Sequence, residues 1–518
     1  MDTKTLLAIV LSLAVLIGYQ FFVAQQQPVT QPKPSVAKKE EPAKTAALPA
    51  VQEASSSVPP AEEKEVRVEN DLYKAIFTSR GGTVKYWEIK PYKDKQGRDI
   101  VILTKQGVLP GLGIGSATTF DLSNVNFSVS TQDLKLDAGN KSGSIVFEYS
   151  KEGISARRTY TFYAGTYIMD ITDEVSGIPE YWITLGSDFG IFDKETSYSH
   201  VGPVLLKGSD LEELKPKKLV EPQTFKGDLK WIGQEDKYFC SSLVPSTQVD
   251  EARAWTYKDS PVIAFKGKPG VNKFQMYAGP KEHDRLVKVN NGLEYIIDYG
   301  FFSVIARPLF WILKFFYKFV GNYGWAIILL TIVVRIPFIP LVSKGQRSMK
   351  KLQAIQPKMN EIKEKYKKDP KKMQAEMMEL YKKYKVNPVG GCLPMILQIP
   401  VFFALYKVLL VSIELRSAPF MLWITDLSAP DTLFGHVAGF SVGGPLPYLM
   451  GITMVIQQKM TPSSVDPKQA KMMMFMPVIF TFMFLNFASG LVLYWLVNNV
   501  LSIAQQFYIN RKVEKQPA

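Results

Sequence analysis

The sequence predicts an α-helical polytopic membrane protein with six transmembrane helices, five of them gathered in a C-terminal core, that carries a large antiparallel β-sandwich outside the membrane. Three observations predict it. Apolar residues make up 46% of the 518 positions, yet they concentrate at the extreme N-terminus and after residue 300. Residues 65–298 instead alternate polar and apolar positions between turn residues, the period-two pattern of half-buried strands. Finally, the stretch "TIVVRIPF" sets one arginine, Arg335, inside an apolar run long enough to span a bilayer.

The elements follow in chain order. Residues 6–24 hold only small or weakly polar interruptions such as Ser12, Gly18 and Gln20. That run approaches the ~20 residues that cross a bilayer and exceeds the apolar region of a secretory signal, so 1–24 reads as a retained transmembrane anchor. Residues 25–64, with "QQQPVTQPKPSVAKKEEPAK", are too polar and proline-rich to bury a core and form a linker. In 65–298, "RRTYTFYAGTYIMDITDEV" puts Tyr160 and Phe162 on one face, then Tyr167, Met169 and Ile171 together after Ala164-Gly165: a hairpin. "SRGGTV", residues 79–84, is a further turn, and the polar patch 211–218 is the one place where regular helix is expected. No His and carboxylate set with telling spacing appears, so a binding or spacer domain is expected over a carbohydrate-processing enzyme. Cys240 and Cys392 fall in different compartments and make no disulfide framework. CxxC, HExxH and GxxxxGK[ST] are all absent, so neither a metal site nor an ATP motor is signalled, and no cofactor is expected.

Residues 299–320 carry Arg307, Lys314 and Lys318, spaced by seven and four, on one stripe opposite Phe, Trp, Leu and Ile. That describes an amphipathic helix lying in the interface. Crossings follow at 325–342, at 393–412 and at 448–458, the last being short unless it begins near Pro445. The uncharged stretch 472–510 would extend ~58 Å as one helix against a hydrocarbon core of ~30 Å, so it divides at "NFASG" into two. The core is thus 321–510. Its loop 344–387 holds fourteen basic residues against five acidic ones, a net of +9, whereas 413–447 carries Glu414, Asp426 and Asp431 against Arg416. The positive-inside rule makes that loop cytoplasmic, together with both termini and the tail 511–518, and leaves the β domain outside. Within the loop, Met349, Leu352, Ile355, Met359, Ile362 and Tyr366 make one helical stripe. Met373, Met377, Leu380 and Tyr384 make a second, begun by Asp369 as cap and Pro370 at the first helical position. This lysine-coated hairpin either fixes topology as a solvated face or docks lipid headgroups, ribosomal RNA or acidic clients.

Arg335 lies ten residues from Trp325 and nine from Lys344, so its stem begins about 13 to 15 Å from either flank, too deep for easy snorkelling. No Asp or Glu occurs in the core crossings. A charge there needs water, polar side chains or a visiting anion. The available neutral groups are Thr331, Gln398, Thr453, Gln457, Gln458, Thr481, Asn498, Asn499, Gln505 and Gln506. Pro337, Pro340, Pro394, Pro400 and Pro477 each free a carbonyl that must find water or a neighbour, although helix kinking in a packed bundle explains them too. The methionines of "KMMMFMPVIFTFMF", among them Met472, Met474 and Met476, suit varied apolar clients or simply face lipid. Inverted repeats and coupling carboxylates, which a solute transporter would usually show, are not found.

Taken together, "GNYGWAIILLTIVVRIPFIPL", the hairpin ending in "LYKKYKVNPVGGCLPMILQIPVFFALYKVL", "ELRSAPFMLWITDLSAPD", "QKMTPSSVDPKQAKMMMFMPVIFTFMF" and "SGLVLYWLVNN" resemble the YidC family of membrane protein insertases over 321–507. The anchor and β domain look like the form found in bacteria with an outer membrane, where that domain is periplasmic and similar to sugar-epimerase sandwiches without their activity. The resemblance implies an inner-membrane insertase and chaperone without ATP hydrolysis, and a hydrophilic groove with Arg335 at its centre. Thr331, Gln398, Gln457, Asn498, Tyr494 and Trp495 are expected around that groove. Met472, Met474, Met476, Phe480 and Phe402 are expected to form the slide by which an apolar client segment reaches lipid. Implied partners are nascent membrane proteins, Sec translocon components, the ribosome through the basic hairpin and tail, and membrane lipids; DNA is not among them. Lys407 departs from the expected pattern and should lie near the outer interface.

Overall fold

The structure, a computed structural model, describes residues 63–94, 96–104, 108–130, 133–193, 199–386, 393–437, 440–460 and 467–514. The anchor 1–24 lies outside them, as does the linker 25–64 apart from its last two residues.

Residues 65–280 build three sheets. The largest has nine strands, with Gly270–Pro280, Ile168–Ser176, Ile154–Tyr163 and Ser142–Lys151 side by side near one end, each pair antiparallel. The expected hairpin forms within this group: Phe162 pairs Met169 and Tyr160 pairs Ile171, all four buried. Directly paired residues share a face, so Phe274 and Met276, opposite Ile171 and Met169, extend it. Both five-stranded sheets cover that face. Phe77 from Tyr73–Thr78 meets Tyr160 at 4.8 Å and Phe162 at 5.3 Å, and Phe265 from Ser260–Gly267 meets Phe274 at 6.3 Å. One pairing is parallel, Glu65–Glu69 with Leu134–Lys135. The turn at 79–84 also forms. Gly81 and Gly82 adopt φ of +70° and +57°, and a Cβ on Gly81 would come within 2.5 Å of the Ser123 backbone, so only glycine serves there.

The expected helical patch 211–218 is instead an edge strand, Asp210–Glu213, and a single 3-10 turn, Pro216–Lys218. Pairing to Gly202–Lys207 overrides a weak helix propensity, and Pro216 cannot sit in a helix interior.

Ten helices are described after the sandwich: α1 His283–Val289, α2 Ser303–Val320, α3 Tyr323–Arg335, α4 Ile339–Ala354, α5 Gln356–Lys365, α6 Pro370–Lys383, α7 Leu393–Val411, α8 Pro445–Met460, α9 Pro467–Phe484 and α10 Ser489–Glu514. Among the described residues, Gly300–Val320 and Tyr323–Ala354 are long and apolar enough to cross a membrane, and Gln398–Val411 and Met474–Phe484 are shorter apolar helices. Helix α10 packs on α8, α3 and α7, while α2 lies across α3 and α7. The basic stripe of α2 is tied to the β domain: Lys314 pairs with Asp284 at 2.5 Å and Arg307 lies 4.7 Å over the Tyr295 ring. Its other side leaves Trp311, Phe315 and Phe319 exposed, Trp311 stacked on Phe315 at 5.8 Å and Phe315 edge-on to Phe319 at 4.9 Å. Asn322 caps α3, accepting from the Gly324 and Trp325 N–H groups. A Cβ on Gly324 would overlap the Phe420 ring at 1.9 Å.

The long C-terminal stretch divides where the sequence indicates, α9 ending at Phe484 and α10 beginning at Ser489, whose hydroxyl donates to the Ala429 carbonyl at 2.8 Å. The hairpin α5–α6 has its own small core of Leu352, Ile355, Met359 and Val386, with Met377, Leu380 and Tyr384 packed against it. Asp369 accepts from the Lys372 N–H at 3.1 Å, with Pro370 at the first helical position. Asp369→Ala should weaken the start of α6 by about 1 kcal/mol. Hydrogen exchange in the full chain would show this as faster exchange confined to residues 371–374.

Candidate functional site

Arg335 is the last residue of α3. Beyond it the ladder is interrupted: Ile336–Phe338 is a 3-10 turn containing Pro337, and α4 opens with Pro340 near its start. Two residues without N–H groups free carbonyls at this level, so the backbone turns polar just where the charge sits. The guanidinium reaches across to α10. Nη1 donates to the Asn498 backbone carbonyl at 2.8 Å and its Oδ1 at 2.7 Å, and Nη2 donates to Ser502 Oγ at 2.8 Å and Gln505 Oε1 at 3.2 Å. Spacings of four and seven put these three residues on one face of α10. Gln505 in turn donates to Ser343 Oγ at 3.2 Å and the Ile339 carbonyl at 3.3 Å, stitching α10 to α4.

Every partner of the cation is neutral. Among the described residues no carboxylate pairs with Arg335, and the titratable side chain that faces it is Tyr494. The guanidinium is half-buried and borders a cavity of about 30 Å³, lined by Thr331, Val334, Phe338, Val342, Gln398, Val401, Tyr494 and Asn498. That volume suits one or two waters with several polar neighbours. Among the described residues, then, no acid neutralises the cation, and its guanidinium borders a cavity with several polar groups in its lining.

Thr331, Gln398, Tyr494 and Asn498 of the predicted set come together at this cavity. The Thr331 hydroxyl donates back to the Ile327 carbonyl at 2.7 Å, as threonine in a helix commonly does. Gln457 and Trp495 do not line it. Gln457 lies on α8, and α10 meets α8 through Asn499, which donates to Thr453 Oγ1 at 3.2 Å. Trp495 packs instead with two of the predicted slide residues, 4.9 Å from Phe402 and 6.0 Å from Phe480, and with Phe484 at 5.3 Å. This aromatic seam joins α7, α9 and α10. Met474 on α9 is 55% exposed and Met476 partly so, whereas the Met472 side chain lies outside the described residues. Ser502 was missed by sequence reasoning; its spacing of four from Asn498 was the available signal. Lys407 stands well away from the cavity, its Cε 3.8 Å from where a Cβ on Gly300 would sit.

The sequence was compared with known proteins. The family model described as 60Kd inner membrane protein matches residues 315–516, and that of the YidC periplasmic domain matches residues 65–312. A membrane protein insertase YidC of Syntrophus aciditrophicus (strain SB) is 39% identical over 555 positions, covering 99% of this chain and 100% of that protein. Another of the same description, from Geobacter sp. (strain M21), is 41% identical over 476 positions, covering 87% and 86%. A crystal structure of an active YidC insertase with its first transmembrane domain resolved is 20% identical, covers 87% of this chain and 93% of that one, and superposes with a TM-score of 0.39.

Proposed function

The chain belongs to the YidC family of membrane protein insertases, inner-membrane proteins with a periplasmic domain whose substrates are membrane proteins, and from that premise we propose that Arg335 is the attraction point for the polar or acidic tail of a client entering from the cytoplasm. The observation that carries this reading is a half-buried guanidinium at the end of an apolar helix whose four hydrogen bonds all go to neutral acceptors. Such a cation retains its full charge for an incoming anion. The client's apolar segment then passes over the seam of Phe402, Phe480 and Trp495 and the exposed Met474 into lipid, while the cavity keeps the tail wet.

No nucleotide is needed. Each central Leu, Ile, Phe or Val of the client gains about 0.3–0.6 kcal/mol in the bilayer, against about 2.5–3.5 kcal/mol lost for one Asp. Partition supplies the drive and the arginine lowers the barrier for the tail. In this reading both termini and the lysine-coated hairpin are cytoplasmic. There the hairpin meets ribosome or lipid headgroups, and the core works alone or beside the Sec translocon.

Photocrosslinkers placed at Trp495 and Met474 should capture stalled nascent chains of a single-span client in native membranes. A probe at exposed Val220 on the β domain should not. Equal capture at all three positions would remove the slide from the mechanism.

A further inference from the structure

The junction between the β domain and the helical bundle is built around one unusual carboxyl. The turn Ile413–Leu415, just past α7, is held from two sides. Arg416 donates to the Lys93 carbonyl at 2.7 Å and lies over the rings of Tyr238 and Phe239 at 5.8 and 5.9 Å. Nearby, Tyr92 donates to Glu282 at 2.5 Å, and Lys314 of α2 pairs with Asp284 of α1 at 2.5 Å.

Glu414 sits between these clamps. Both its carboxyl oxygens are shut off from solvent, and among the described residues neither has a hydrogen-bond partner. The N–H groups of His283 and of Glu414 itself approach without closing a bond. Tyr299 and Ser412 add two more buried hydroxyls in the same state, approaching each other without a bond of good geometry. An ionised carboxylate would not persist here without solvation or a committed cation, and Lys314 is already engaged by Asp284.

We propose that Glu414 is a positioning residue that seats the β domain on the outer end of α7 as a neutral acid, and that its ionisation loosens the seat. The groups facing it are Tyr92 of the β domain, Glu282, the His283 backbone, Tyr299, Lys314 of α2 and Tyr323 of α3, with Asp284 behind Lys314 and Arg307 beside Tyr299. Burial pushes the Glu414 carboxyl up to about 7, Lys314 pulling it down and Glu282 pushing it further up. A folded-state value above the ordinary carboxylate value of 4.5 means that the seated form binds more protons than the open form. The stability of the seat is therefore complete at acidic pH, declines as pH rises toward 7, and falls no further above it. This inference stands on the junction alone and does not need the insertase reading.

The test compares wild-type protein with Glu414→Gln in lipid nanodiscs, following hydrogen exchange in residues 283–289 and 412–416, the variant serving as reference for the intrinsic effect of pH. At about pH 5 the two should protect these amides alike, while at about pH 8.5 wild type should exchange about tenfold faster or more. A ratio that does not change with pH overturns the proposal. Infrared spectroscopy should show a protonated-carboxyl C=O band in wild type that titrates near neutrality and is missing from Glu414→Gln, and its absence from wild type below neutrality overturns the proposal equally. Lys314→Met, which removes the facing cation, should move the transition to higher pH; a transition that stays put or falls counts against it.

Discussion

Arg335→Ala, purified and reconstituted in vesicles, is expected to insert a client with an acidic N-terminal tail at least about tenfold more slowly than wild type, Arg335→Glu to abolish insertion, and Arg335→Lys to retain much of the rate. The magnitude follows from charge and depth. A unit charge about 5 Å from a carboxylate at an effective dielectric of about 20 is worth about 3 kcal/mol, and even half of that is tenfold in rate. Alanine also leaves Asn498, Ser502 and Gln505 turned toward an empty place, which water can fill because the adjoining cavity has polar groups in its lining. The loss should therefore come from missing attraction rather than misfolding. Glutamate sets an anion against those acceptors and repels the tail. Lysine keeps the charge but offers one compact ammonium where the planar fork spans two groups of α10. A client with a neutral, short tail should be far less affected by any of the three, and an acidic client inserted by Arg335→Ala at the wild-type rate would remove the arginine from the mechanism.

That site was half legible in the sequence. A cation in an apolar run announces itself through composition, and so does the lack of a carboxylate in the core crossings, so Arg335 and its neutral surroundings could be read without coordinates. Which amides would meet it could not. Asn498, Asn499, Gln505 and Gln506 lie adjacent in the chain, but α10 turns 498, 502 and 505 toward the arginine and 499 toward Thr453 of α8. The rotation is set by how α10 packs, which no local pattern states. Trp495 shows the same limit, since one residue from Tyr494 is about 100° of helix, enough to move it from the cavity to the aromatic seam. The capped hairpin was fully local, with Asp369 and Pro370 carrying their own instruction. Residues 211–218 were misread because a partner strand elsewhere decided them. Glu414 counted in the sequence only toward topology, because burial of its carboxyl arises from a β domain and a helical bundle closing over one turn.

The β domain has a second buried arginine, and contrast with the first shows what pairing does. Arg158 and Asp173 are both fully buried. Arg158 Nε donates to Asp173 Oδ1 at 2.8 Å and Nη2 to Oδ2 at 3.2 Å, while Nη1 donates to the carbonyls of Leu112 at 2.7 Å and Gly82 at 3.3 Å; Tyr181 adds its hydroxyl to Oδ2 at 2.6 Å. Burial opposes the guanidinium's charge, but Asp173 more than offsets it and raises its proton affinity. This cation is committed, and it ties the turn at Gly81–Gly82 to the nine-stranded sheet. Arg158→Met should therefore destabilise the β domain by about 3–5 kcal/mol, because it strands a buried carboxylate as well as several carbonyls. Denaturant unfolding of the full chain, followed by tryptophan emission and by protease resistance of the β domain, would register it. The double variant Arg158→Met with Asp173→Leu should recover part of that loss, since a buried pair replaced by apolar groups of similar volume leaves no charge behind. If the double variant were as unstable as the single one, the carbonyl contacts rather than the stranded charge would carry the penalty. Arg335, by contrast, should tolerate removal with little loss of stability, because its neutral partners can turn to water; under the proposed function the two arginines then separate a cation used for folding from one whose charge serves a client.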